Sequence, residues 1–310
     1  SAIGPRDQFQ VAANGITRFG LSGGAIGASL FAIPPVKEQR TIATFLDCET
    51  HKIDTLIAKE EKLIELLQEK RTALITRAVS RGLDPSVPTK ESGVDWVGEI
   101  PTHWAVCFLD KLVDPMRRIT YGIVQPGEPD PEGILMVRGQ NYSQGWSDPA
   151  DIFRVSAEVE APYKRARLRG GDIVMTIVGA GTGNVAIVPA QFDGANITQT
   201  TARIAIQRRK GTNRYFAYQL ESRMGQANVD VAVKGAAQPG LNLAHIEKFR
   251  VLRPPLNEQE AIADYLDRVT RSTDVLASRV RDSIDLLKGY RIALISAAVT
   301  GKIDVRGEVS

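Results

Sequence analysis

Cysteine is scarce: two in 310 residues, Cys48 and Cys107, far apart and with no CxxC pair. That excludes a disulfide framework, a zinc ribbon and a dithiol redox motif, and makes a reducing cytosol the expected setting. No stretch approaches the roughly 18 consecutive apolar residues of a membrane-spanning helix, and Ser1 to Arg6 lacks the charged start and apolar run of a signal peptide. No membrane partner is expected. The three histidines, His51, His103 and His245, share no metal or triad spacing, so each reads as structural. A Gly-x-x-x-x-Gly-Lys-Ser/Thr loop for ATP phosphates is missing. So is any Asn-Pro-Pro-Phe/Tyr or Asp-Pro-Pro-Tyr segment of the kind that holds a target base in amino-methyltransferases. Neither methyl transfer nor nuclease chemistry is expected of this chain, and it is expected to hold no cofactor.

What is present is an ordinary globular composition, 43% apolar and 24% charged, long enough for two domains. A net charge of +3 and a pI near 8.8 permit a polyanionic partner without requiring one. Basic residues cluster as Lys164, Arg165, Arg167 and Arg169, and again as Arg203, Arg208, Arg209, Lys210 and Arg214. A solvated surface is the plainer reading of such clusters; a phosphate-facing one is the functional alternative.

The main signal is internal repetition. Residues 34–84 realign on 254–304 at a constant offset of 220, without a gap, with 21 identities in 51 positions. Among them are Pro34/Pro254, Pro35/Pro255, Glu38/Glu258, Gln39/Gln259, Asp54/Asp274 and Arg71/Arg291. The match continues upstream through Gly15/Gly235, Gly20/Gly240 and Leu21/Leu241, so residues 1–33 read as the tail of a domain whose whole copy is 85–253. The order tail, arm (34–84), domain (85–253), arm (254–310) implies a larger unit of domain-arm-domain-arm. Of its first domain this sequence carries only the end, by truncation or as a naturally shortened form.

Each arm reads as a long helix that begins just after its Pro-Pro pair. Alternating steps of four and three from Ile53 give Ile57, Glu60, Ile64, Leu67, Arg71, Leu74 and Ala78. From Thr273 the same steps give Ala277, Val280, Ile284, Leu287, Arg291, Leu294 and Ala298. Six of eight positions are apolar in each arm, the pattern of a coiled-coil seam. A break is expected between Cys48 and Lys52, where the pattern lapses. The two arms suit an antiparallel coiled-coil pair; the alternative is that each packs on its own domain. Arg71 and Arg291 lie inside the seam, where an unpaired charge is costly, so they either set register or face a partner.

The stretch between the arms changes character to Gly, Pro and short β-prone runs, with strands expected at 134–138, 172–178, 184–188 and 201–207 and a helix at 214–224. The fold class is α+β: one domain of mixed strands and helices flanked by two long helical arms. Its loops are polar and glycine-rich. One carries Tyr121 and Gln125; a second carries Arg138, Gln140, Asn141, Tyr142, Gln144 and Trp146. A third carries Thr182 and Asn184, and a fourth Lys234 and Gln238. Arg can make two hydrogen bonds to a guanine edge and Asn or Gln two to adenine, while Lys, Thr and backbone amides suit phosphates. Arg117, Arg118, Lys164, Arg165 and Arg167 complete the candidate DNA-contacting set. Simple turns are the competing reading of any one such residue. The run Gly179-Ala180-Gly181-Thr182-Gly183 also admits a cofactor loop, though a tight turn explains it more simply.

Several segments together resemble the specificity subunit of type I restriction-modification enzymes across essentially the whole chain. They are the Pro-Pro-x-x-Glu-Gln openings of both arms, Ser92-Gly93-Val94-Asp95-Trp96-Val97-Gly98-Glu99-Ile100-Pro101-Thr102-His103-Trp104, Gly171-Asp172-Ile173-Val174, and the two domain tails ending in Leu21 and Leu241. The resemblance implies that 85–253 is a second target-recognition domain reading half of a split double-stranded DNA site. It implies that 34–84 and 254–310 are the central and distal conserved helical regions, docking modification subunits through Glu38, Gln39, Arg71, Glu258, Gln259 and Arg291. S-adenosylmethionine and the methylation chemistry would belong to those modification subunits, with a restriction subunit joining the assembly. With one recognition domain, the shortened form also admits self-association into a symmetric pair. A helical scaffold that reads no bases is the alternative from another class.

Overall fold

The computed structural model describes residues 23–30, 33–143, 145–234 and 240–307. The expectations placed on Gln144, on Gln238 and on the first domain tail up to Leu21 lie outside these. In chain order the elements are a short helix α1 (Gly23–Gly27) and the long helix α2 (Val36–Arg81), then strands β1 (Thr89–Glu91), β2 (Glu99–Pro101), β3 (Ala105–Phe108), β4 (Thr120–Tyr121), β5 (Ile134–Val137) and β6 (Arg154–Val155). Helix α3 (Ala157–Glu160) leads to β7 (Ile173–Thr176), β8 (Val185–Ile187), β9 (Asn196–Ile197) and β10 (Thr201–Ile204). Helices α4 (Asn213–Glu221), α5 (Arg223–Lys234) and α6 (Leu243–Glu247), strand β11 (Arg250–Arg253) and the long helix α7 (Leu256–Val299) complete the chain. The mixture is α+β, and the four expected strands and the helix after residue 212 are all present, each strand shorter than its β-prone run.

The duplicated motif builds the same first turn twice. In α2 the Gln39 N–H donates to Pro35 O at 3.0 Å and the Gln39 side chain returns to Pro34 O at 2.8 Å. In α7 the Gln259 N–H donates to Pro255 O at 3.0 Å and its side chain to Pro254 O at 2.9 Å. Proline supplies the fixed φ that enters the helix, and the glutamine amide satisfies a carbonyl that the chain before the helix leaves open. Helix α2 runs 46 residues, about 69 Å at 1.5 Å per residue, and ends where Gly82 takes a φ of +74°. The break expected between Cys48 and Lys52 does not occur. Lys52 pairs with Glu49 at 2.6 Å and the Thr50 hydroxyl bonds back to Leu46 O at 2.6 Å, so a polar stretch with no Gly or Pro continues the helix.

The chain divides into two compact units, one of Ser1–Gln68 with Thr273–Ser310 and one of Glu69–Ser272. Each long helix contributes to both. In the first unit, from Lys52 to Gln68, Ile53, Ile57, Glu60, Ile64 and Leu67 are the residues withdrawn from solvent, and these are the expected seam positions. Thr273, Ala277, Val280, Ile284, Leu287, Arg291 and Leu294 are likewise withdrawn on α7. Arg291 donates to Asp54 at 2.8 and 3.2 Å, and Ser283 donates to Glu60 at 2.9 Å. As one helix advances from 54 to 60 its partner runs back from 291 to 283, the direction of antiparallel neighbours. The Arg291 charge thus meets the Asp54 carboxylate across the two helices.

The second unit is centred on a four-stranded sheet in the order β4-β10-β7-β8, all pairs antiparallel. Strand β7 is buried at every residue, and its alternation divides the core. Ile173 and Met175, with Ala202 and Ile204 of β10, enter a large cluster with Ile75 and Val79 of α2, Trp104, Tyr215 and Phe216 of α4, and Ile262 and Leu266 of α7. Val174 faces the other way, into a cluster with Val137, Tyr142, Leu168, Phe192 and Ile197. At roughly 1.5–3 kcal/mol per large apolar side chain fully buried, these two clusters supply most of what holds the unit. A three-stranded sheet, β6-β5-β9, flanks the second cluster, with β5 parallel to β9.

Candidate nucleic-acid interface

The second cluster carries the loops. Strand β5 runs into a single 3-10 turn at Gly139–Asn141, in which the Asn141 side chain accepts the Arg138 N–H at 2.8 Å. The turn lies directly on β7: a Cβ on Gly139 would stand 2.9 Å from the Thr176 hydroxyl. That hydroxyl also bonds the Tyr142 phenol at 2.7 Å, and burial pushes the phenol pKa up. Trp146 stacks on Phe192, with ring centroids 4.6 Å apart. Asn141, Tyr142 and Trp146, expected to face DNA, therefore build and hold the loop. Gln140, just before Asn141, is exposed.

The glycine-rich run after β7 is the hairpin connector to β8. Thr182 donates through both its N–H and its hydroxyl to Gly179 O, at 3.0 and 2.7 Å, and Gly179 and Gly183 take φ of +106° and +95°. These glycines are required by the turn, which removes the need for a cofactor reading. Asn184 ends the turn and is exposed.

Between these loops opens a cleft of about 660 Å³. Its walls are Val124 and Pro126 after β4, Arg138 and Gln140 after β5, and Ala180 and Asn184 after β7; Ile123 and Met136 lie in its apolar base. Three loops far apart in sequence thus converge, bringing together Arg138, Gln140 and Asn184. The Arg138 guanidinium lies 4.7 Å from the Phe153 ring centroid, which restricts its motion without consuming its donors. The stretch Thr198-Gln199-Thr200 also lines the cleft and was missed by sequence reasoning. The available signal was a glutamine set among threonines beside a β-prone run. Gln125 and Tyr121, on the segment that supplies Val124, are exposed; so is Lys234 at the end of α5.

The basic residues separate by partner. Arg117 makes a bidentate pair with Asp172, both bonds 2.6 Å, and Asp172 is 2% exposed. Arg167 makes a bidentate pair with the fully buried Glu160 at 2.7 and 2.9 Å. Both expected DNA contacts are therefore engaged with buried carboxylates, Arg117 itself half-buried and Arg167 still exposed. Arg203 of β10 is buried with them, and desolvation, reinforced by the nearby positive charge of Arg117, lowers its pKa to about 10. Arg118, Lys164 and Arg165 are exposed and, among the described residues, pair with no carboxylate.

The arm motif is used within the chain. Glu258 accepts the Trp104 indole N–H at 2.9 Å and lies 2.7 Å from His103 Nε2, so it fastens the domain entry to α7. Gln259 is fully buried, and its carbonyl accepts the Thr212 N–H at the start of α4, at 3.1 Å. That corrects the expectation that Gln259 docks a partner: no surface of it is free. Arg71 pairs with Glu221 of α4. Glu38 is half-buried and Gln39 exposed. Among the described residues no group of His, Cys, Asp and Glu could hold a metal ion, and no helix is long and apolar enough to cross a membrane.

A family model described as the type I restriction modification DNA specificity domain matches residues 136–285, which include Arg138, Gln140 and Asn184. The type I restriction enzyme EcoBI specificity subunit of Escherichia coli is 27% identical over 287 residues, 91% of this chain and 60% of that protein. The type I restriction enzyme MjaVIII specificity subunit of Methanocaldococcus jannaschii is 23% identical over 277 residues, 88% of this chain and 62% of that protein. The chain spans about three fifths of the length of these curated relatives. Among solved structures, a chain from a study of complex assembly and conformational transition of the type I R-M system superposes with a TM-score of 0.70 at 16% identity, covering 95% of this chain and 67% of that one. The HsdS subunit from Thermoanaerobacter tengcongensis does so with a TM-score of 0.50 at 16% identity, covering 96% and 67%. At that identity the structures speak for the fold, whereas the family match and the curated relatives speak for descent. With the duplicated arms and the convergent loops between them, these matches make the chain similar, over most of its length, to type I restriction-modification specificity subunits.

Proposed function

We propose that this chain reads double-stranded DNA sequence without catalysing a reaction on it, and directs modification and restriction subunits to the site it binds. The observation that carries the reading is the cleft in which Arg138, Gln140 and Asn184 converge from separate loops. These are the side-chain types able to make paired hydrogen bonds to base edges, and their loops adjoin the buried strand β7, on which the Gly139–Tyr142 turn packs. The exposed Arg118, Lys164 and Arg165 suit phosphates, which set affinity and its salt dependence.

Docking of modification subunits we assign to the arms, on residues outside the seam. Leu56, Leu63 and Leu66 of α2 and Leu286, Tyr290 and Ile292 of α7 are large apolar side chains left exposed, and Leu286 is 75% exposed. Such residues, repeated along a helix, suit a protein partner better than water. The test is reconstitution of the chain with its modification partner, followed by mapping of methylated sites and titration of duplex binding against salt. Site-selective methylation that is lost when Arg138, Gln140 and Asn184 are all changed to Ala is the expected result. Unchanged target choice in that triple variant overturns the reading.

A further inference from the structure

Resting on that reading, we propose that Gln199 is a base-reading residue, recognising an adenine through the paired donor and acceptor of its side-chain amide. Residues 198–200 link β9 to β10, and their backbone is bonded to each segment that carries a cleft loop. Thr198 accepts the Gly122 N–H at 3.2 Å and donates to Val137 O at 3.2 Å; Gln199 donates to Ile123 O at 2.9 Å; Thr200 accepts the Ile177 N–H at 2.8 Å. The approach to the segment after β4 is so close that a Cβ on Gly122 would stand 1.8 Å from Ile197 O. The hydroxyls of Thr198 and Thr200 bond one another at 2.8 Å, so neither competes for the amide between them.

Gln199 is exposed within the cleft, and its side-chain amide makes no hydrogen bond among the described residues. An amide presents one donor and one acceptor side by side, the pattern that matches adenine N7 and N6 in the major groove. Gln140 and Asn184 offer the same chemistry from turns. Gln199 offers it from backbone tied to three other segments, so less conformational freedom is lost on contact. The residue at the junction is therefore the best placed of the three amides to discriminate.

The test is selection from a randomised duplex pool by the full chain with its modification partner, comparing wild type with Gln199→Ala and Gln199→Glu. The side chain is exposed, so both variants fold, and unchanged thermal unfolding verifies it. Gln199→Ala should lower discrimination at one adenine-containing position by roughly 5- to 150-fold while the rest of the recognised sequence persists. Gln199→Glu, which can only accept, should shift that position toward cytosine. An unchanged consensus in Gln199→Ala overturns the inference, as does uniform weakening of all sequences. If wild type itself selects no consensus, the reading of this domain as a sequence reader fails before Gln199 is in question.

Discussion

The duplicated glutamine offers a matched pair of substitutions whose outcomes the structure separates. Gln259→Ala removes the side chain that joins Pro254 O at 2.9 Å to the Thr212 N–H at 3.1 Å, in a site with no exposed surface. Pro254 O is stranded in the interior and the first turn of α4 loses an acceptor. At about 1–3 kcal/mol for each of the two polar groups left unsatisfied, the loss is about 2–6 kcal/mol before the void left by the side chain is counted. For a unit of this size each kcal/mol lowers Tm by roughly 2–4 °C, so a fall of roughly 4–24 °C is expected by calorimetry on the full chain. Gln39→Ala deletes the equivalent 2.8 Å bond to Pro34 O, but on an exposed side chain with no second partner among the described residues. Its cost should stay near about 0.5 kcal/mol. Equal losses at the two positions would refute the argument, since they would mean that the motif acts only through its own helical turn.

Arg117→Ala strands the buried Asp172 carboxylate and should cost about 3–5 kcal/mol in chemical denaturation, whereas Lys164→Ala should leave stability unchanged and reduce the slope of log affinity against log salt by about one. Gly122→Ala drives a Cβ into Ile197 O, and a loss of about 1–3 kcal/mol or more, with blurred target selection, is expected from denaturation and pool selection together. Leu287→Asp puts a charge in the half-buried seam and should abolish hydrogen-exchange protection around 53–67 and 277–294; protection at wild-type levels would count against packed arms.

The arms were legible because two independent regularities agreed on them: a seam of heptad spacing and a second copy of it 220 residues away. The unbroken passage from Cys48 to Lys52 was not, because an apolar pattern reports what a helix packs against and not whether it is helical. Within the domain, residue types pointed to loops that converge on the cleft but could not separate Gln140 from its neighbours Asn141 and Tyr142, whose partners arise only when β7 is laid beneath them. Arg117 and Arg167 read as free cations for a similar reason: Asp172 lies 55 residues from the first, and nothing local marks Glu160 as the buried partner of the second. Gln199 was passed over because its neighbours look like strand, and its value comes from a junction of segments distant in sequence. The fate of Glu258 and Gln259 was hidden in the same way, since the groups they hold, Trp104 and Thr212, belong to the domain and not to the arm.

The parity of β7 has an evolutionary consequence. Its odd residues, Ile173 and Met175, answer to the helices, while Val174 and Thr176 answer to the turns that frame the cleft. Two sets of constraints are thereby written on alternate letters of one short word. On the proposed reading, exchanging the turns would require refitting the even positions, while the odd positions answer to the helices alone. A chimera that transplants only the loops onto a distant relative should misfold at the even residues first, and a graft that carries the even residues of β7 with its loops should be the smallest piece of this fold to move a binding preference intact.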